Sequence, residues 1–179
     1  MKYTIEESWF VHFFTADKAS APMWFVVRVY LGYEFLMAGW GKLASPAWFG
    51  SDAGAALQGF VQGALAKTVG AHPDVYQWYA SFLQSTVLPH LMVWSNAVVL
   101  GELFIGLGLI VGLCTGTAAF FAFFMAFNFL LAGTVSVNPM LVLVAIAIML
   151  AHRVAGYWGL DRFVKPYLHH VFRSRTRKT

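Results

Sequence analysis

Apolar residues in this chain run in blocks instead of alternating with polar ones. Four blocks stand out, over 22–43, 91–113, 115–134 and 138–158. A helix rises about 1.5 Å per residue, so roughly 20 residues cross a hydrocarbon core of about 30 Å, and each block reaches that length. The pattern predicts an all-α integral membrane protein. It is a four-transmembrane-helix bundle with an outer helical loop between the first and second spans, and residues 1–179 form a single membrane domain. The third block, TGTAAFFAFFMAFNFLLAGT, is almost unbroken, whereas Arg28 and Glu34 interrupt the first.

The segment 44–86 is too long for a simple turn. Two stretches within it, AGAALQGFVQGALAKTV and PDVYQWYASFLQSTV, place apolar residues three and four apart, as in helices that lie on a membrane or over a bundle mouth. They predict an outer lid or, equally, a purely structural cap.

Positive residues near span ends are retained on the cytoplasmic side. The tail 162–179 carries Arg162, Lys165, Arg173, Arg175, Arg177 and Lys178, and an even number of spans puts Lys2 and Lys18 on the same side. The 44–86 loop has only Lys67, with Lys42 just before it. A multi-pass cell-membrane protein with both termini in the cytoplasm is expected. Trp24 and Trp158 then fall at the cytoplasmic edge, and Trp40 and Trp94 at the outer one. The first 20 residues place acids inside their apolar stretch and show no small-residue cleavage pattern, so they are expected to remain on the mature protein.

Composition narrows the chemistry. Hydrophobic residues make up 59% of the chain and charged ones 11%, an apolar excess that a soluble fold has no core to hide. Cys114 is the single cysteine, which excludes an internal disulfide, a Cys-based metal site and a dithiol mechanism. No His pair has metal-ligand spacing and no flavin fingerprint occurs, so no metal, haem or flavin is expected. The short basic tail is explained by anionic lipid, and nucleic acid is not expected as a partner.

Polar residues inside the spans are the candidate chemistry. Counted from the cytoplasmic ends at about 1.5 Å per residue, Glu34, Glu102 and Asn128 fall at nearly one depth, near the bilayer centre. A charge there costs about 2.5–3.5 kcal/mol on insertion scales, so the two acids are expected to face the bundle interior. Glu34 and Glu102 are the candidate catalytic acids. Arg28, Asn128 and Trp94 are candidates for a quinone pocket, with Arg28 reaching Glu102 or else extending to the interface near Trp24. Lys42 and His90, at the outer mouth, are weaker candidates for attracting an anion. The same residues are equally well read as an ion-pair network that fixes helix order. Gly101, Gly108 and Gly112 predict a packing seam on the second span.

Four stretches, RVYLGYEFLMAGWGKL, WSNAVVLGELFIGLGLIVGLCTG, NFLLAGTVSVNP and LAHRVAGYWGLDRF, resemble the DoxX/DoxD family. That family includes the membrane subunit of thiosulfate:quinone oxidoreductase. Together the stretches cover most of 28–163. The resemblance implies a four-helix membrane protein. For the DoxD branch it also implies oxidation of thiosulfate to tetrathionate, with electrons passed to quinone alongside a small redox partner subunit. Other members resemble non-catalytic anchors for redox or thiol-stress partners. The resemblance assigns no catalytic role to a numbered residue. A transporter, which would need to be a homo-oligomer, is disfavoured because no inverted repeat is evident.

Overall fold

The structure, a computed structural model, describes residues 8–164 and 166–167. Lys2, Lys165 and the tail cations Arg173, Arg175, Arg177 and Lys178 lie outside the described residues. Among the described residues the α-helices run in order α1 (Trp9–Ala16), α2 (Ala21–Leu43), α3 (Ala55–Leu65), α4 (Gln77–Phe82), α5 (Leu91–Val111), α6 (Thr115–Leu131), α7 (Asn138–Leu150) and α8 (His152–Ala155). No strand occurs among the described residues. The fourth apolar block is not one helix, because α7 ends at Leu150 and the chain turns at Ala151 before the short α8. Among the described residues one helical run, Gln77–Val111, is long and apolar enough to cross a membrane. It joins α4 to α5 through a π turn over Leu83–Val87 and a 3₁₀ turn over Leu88–His90 that contains Pro89.

The apolar helices are inverted relative to those of a water-soluble bundle. On α6, Ala119, Ala122 and Ala126 are buried at helical spacing, while Phe120, Phe121, Phe124 and Phe127 are exposed. Small residues inward let α6 and α7 approach closely, and large ones face out. Leaving a Phe in water forgoes about 1.5–3 kcal/mol of burial, so a face of four requires an apolar surrounding.

Packing between α2 and α5 is closest at Gly106. A Cβ there would lie 2.6 Å from the backbone nitrogen of Leu36. Of the predicted glycine seam, Gly101 and Gly108 pack toward Met125 and Ala118 of α6, while the close approach to α2 is made by Gly106, which the prediction left out. This register sets Lys42, at the end of α2, level with the middle of α5. The connection after α2 then climbs the rest of α5, where Ser95 Oγ donates to the Trp48 carbonyl at 2.6 Å and Gly54 rests on Leu91. Equal depth for the C-terminus of α2 and the N-terminus of α5, which the sequence suggests, is corrected by this stagger.

At the opposite end a polar knot ties the α5–α6 turn to residues 158–161. Arg28 donates to the carbonyls of Leu109 (2.5 Å), Ile110 (3.3 Å) and Trp158 (3.3 Å), satisfying acceptors that the end of α5 would otherwise leave unpaired. Asp161 accepts from the backbone N–H of Cys114 (2.7 Å) and Thr115 (3.1 Å) at the start of α6. Gly112 makes the turn at φ 72, and a Cβ there would meet the Arg28 guanidinium and the Gly159 backbone. Lys18 and Arg162 both lie over the Tyr157 ring nearby. The two described cations that flank the bundle in sequence thus share one end of it.

The predicted helical loop contains α3 and α4, which build a second small core from Leu57, Val61, Val75, Leu83 and Val87. Lys67 Nζ donates to the Gly133 carbonyl at 2.6 Å and fastens this unit to the end of α6.

Candidate functional site

Two cavities that α5 helps to line stand out among the described residues. The larger, of about 700 Å³, lies between α5 and α6 beneath α3 and α4. It exists because α5 packs along α2 and α6 along α7, so that α5 and α6 meet over a shorter stretch. Its walls are mainly apolar and aromatic, with Phe60, Trp94, Phe104, Phe121 and Phe124 among them. One corner is polar. Tyr79 Oη donates toward the Asn128 carbonyl (3.0 Å) and its Oδ1 (3.2 Å), and Asn128 Nδ2 donates to the Phe124 carbonyl at 2.7 Å. Trp94 Nε1 donates to the Thr86 carbonyl at 3.1 Å, which fixes the indole at the wall.

The smaller cavity, of about 180 Å³, lies against α2 and the start of α7. Glu34, Ala38 and Lys42, four residues apart, form one stripe of α2, and Glu102 of α5 and Asn138 of α7 complete the polar lining. Lys42 Nζ lies 2.7 Å from both carboxylate oxygens of Glu102, which is 2% exposed. The ammonium also sits 5.4 Å from the centre of the Trp48 ring. Glu34 is half-buried and makes no hydrogen bond or ion pair among the described residues. Phe129 lines both cavities and is their common wall.

The structure brings together only part of the predicted polar layer. Glu34 and Glu102 line one cavity, but not at one depth, because the stagger sets Glu102 level with Lys42, two turns along α2 from Glu34. Asn128 does not join them, because its face of α6 turns toward α5 and α4, and it shares the large cavity with Trp94. Arg28 reaches neither acid: it caps the C-terminal end of α5, and the charge near it is Asp161. Lys42 is not at the outer mouth with His90, because the α2–α5 stagger carries it inward to Glu102. His90 is exposed and lines neither cavity.

Sequence reasoning missed Tyr79, Asn138 and the capping role of Asp161. For Tyr79 a signal was present, since Val75, Tyr79 and Leu83 repeat at four-residue spacing and put one hydroxyl on an apolar stripe. Asn138 precedes Pro139 at a helix start, where its amide donates back to the Thr134 carbonyl at 2.9 Å. Among the described residues no group of three or more His, Cys, Asp or Glu is arranged to hold a metal ion.

No curated protein and no solved structure gives a significant match to the chain. A family profile described as DoxX matches residues 23–134. That range takes in α2 through α6, with the large cavity and the Lys42–Glu102 pair, and stops before α7 and Asp161. With well over half of its length matched, the chain belongs to the DoxX family and is a membrane protein of the DoxX type.

Proposed function

We propose that the chain is the membrane subunit of a quinone-linked oxidoreductase and that the quinone occupies the α5–α6 cavity. The observation that carries this reading is the cavity's construction. It is a space of about 700 Å³, mainly apolar, with hydrogen-bonding groups at the Tyr79–Asn128 corner and Cys114 and Thr117 also on its lining. A quinone needs just this division, since its isoprenoid tail asks for apolar walls and its ring oxygens for donors. The second N–H of Asn128 meets a ring oxygen, Tyr79 holds the amide in place and Trp94 lies against the ring. The carboxylates of the small cavity lie behind Phe129 as the nearest source of protons.

By family resemblance the electron donor is thiosulfate. Two thiosulfate ions join through a new S–S bond to give tetrathionate, and the two electrons released reduce the quinone, which takes up two protons. No residue of this chain carries electrons, so transfer is direct or passes through a small redox partner subunit. α2, α5, α6 and α7 form the four spans. Clustering of Lys18, Arg28 and Arg162 at one end supports placing that end in the cytoplasm, which a C-terminal reporter fusion reads directly.

The test is thiosulfate-dependent reduction of a soluble quinone by the purified protein with its co-purifying partners. Asn128→Leu is expected to weaken apparent quinone affinity by about tenfold, the equivalent of one lost hydrogen bond of about 1–1.5 kcal/mol. No quinone reduction, and no change in Asn128→Leu, would refute the reading. A second reading, a non-catalytic anchor or assembly subunit for a redox or thiol-stress partner, is favoured by one observation: Glu102 is fully matched by Lys42, as a purely structural pair would be.

A further inference from the structure

The small cavity holds two carboxylates and one ammonium, and the geometry treats the carboxylates differently. Lys42 contacts both oxygens of Glu102 at 2.7 Å and is held from its other side by the Trp48 ring. Every charge on that pair is answered within the pair. Glu34 lines the same space from a position two turns down the α2 stripe, half-buried and with no partner among the described residues. The groups that face it across the cavity are Lys42 on its own helix, Glu102 on α5 and Asn138 on α7, while Phe129 and Leu141 supply apolar wall.

We infer that Glu34 is the acid that exchanges protons with the quinone site, and that Glu102 is a positioning residue whose carboxylate fixes Lys42. This rests on the proposed quinone function and assigns its proton chemistry to one of two candidate acids. A carboxylate bonded twice to an ammonium must break that pair to accept a proton, whereas Glu34 has nothing to break. The cavity has the polar lining and the volume to hold water, and Phe129 is the side chain that separates it from the large cavity. As the quinone takes two electrons from thiosulfate, a proton leaves the Glu34 carboxyl by way of cavity water for a quinone oxygen at the Asn128 corner. The carboxylate is then reprotonated from the aqueous side near the 134–138 turn, where Val135, Ser136 and Val137 are exposed. A second such cycle completes the quinol.

Infrared difference spectroscopy between acidic and alkaline buffer, on the purified full chain, reads carboxyl protonation without needing quinone. On top of the carboxyl signal common to all variants from the chain's other acids, one pH-responsive protonated-carboxyl component is expected in the wild type, lost in Glu34→Gln, and retained in the double variant Lys42→Met/Glu102→Gln. The double variant removes both charges together and so leaves no orphaned ion to unfold the bundle. In parallel, Glu34→Gln should lose thiosulfate-driven quinone turnover by about 10²-fold or more at an unchanged thermal midpoint. It should still show quenching of Trp94 fluorescence by a short-chain quinone. A component that survives Glu34→Gln and disappears in the double variant would overturn the assignment in favour of Glu102. Wild-type turnover by Glu34→Gln would also overturn it. Absence of Trp94 quenching in the wild type would defeat the quinone reading instead, and the infrared result would still decide which acid exchanges protons.

Discussion

Replacing Arg28 by Met is expected to destabilise the bundle by about 3–5 kcal/mol, the cost of removing one partner from a buried charged arrangement. The side chain is 0% exposed and serves three carbonyls on two segments. Without it the Leu109 and Ile110 carbonyls near the end of α5 lose their side-chain donor, and Asp161 loses a neighbouring cation. Met fills a similar volume, so the loss reads the polar function and not a void. Arg28→Lys should recover only part of the loss, because an ammonium keeps a charge near Asp161 but lacks the planar fork that reaches Leu109 and Trp158 together. Unfolding in detergent, followed by helical signal, measures both variants. A change below about 1 kcal/mol for Arg28→Met would show that the knot does not hold the bundle end.

Lys42→Met carries the second large effect. Glu102 is left at 2% exposure without the cation it pairs with, so a loss of about 3–5 kcal/mol is expected for the single variant. Adding Glu102→Gln should restore most of it, because a neutral amide facing Met leaves no uncompensated charge. The two substitutions therefore couple, and the double-mutant cycle gives the interaction free of each side chain's separate packing. Additive losses would mean that the pair contributes nothing as a pair. The same cycle bears on the anchor reading, in which this pair fixes helix order and Glu34 has no role.

What could be read in the sequence was whatever depends on local pattern. The apolar blocks at 22–43 and 91–113 are close to α2 and α5, and the apolar spacing within 44–86 marks α3 and α4. The inward acids Glu34 and Glu102 were legible from insertion cost, since neither can face hydrocarbon cheaply. What failed was inference across helices. Depth counting assumed that antiparallel helices start and stop together. The Gly106–Leu36 contact instead sets α2 partway along α5, and so Lys42, not Arg28, meets Glu102. Rotation about the axis of α6 was equally hidden. Asn128 has the depth of the acids but faces α4, where Tyr79 awaits it. The break at Ala151 was passed over because apolar residues resume at Val154, although His152 and Arg153 interrupt the run directly after it. Arg28 reads as candidate chemistry among the charges of the spans, and Asp161 lies beyond them. Only the chain ends they cap reveal a structural task.

The claim that quinone occupies the α5–α6 cavity is tested most directly by photolabelling the purified protein with an azidoquinone and mapping the adducts by mass spectrometry. Adducts are expected on residues that line the large cavity, chiefly around Trp94, Phe121 and Asn128, and an excess of unlabelled quinone should suppress them. Adducts spread along the outward face of α7, at Leu143 and Leu150, with no protection by unlabelled quinone, would show that quinone meets this protein only as a membrane solute and would contradict the account.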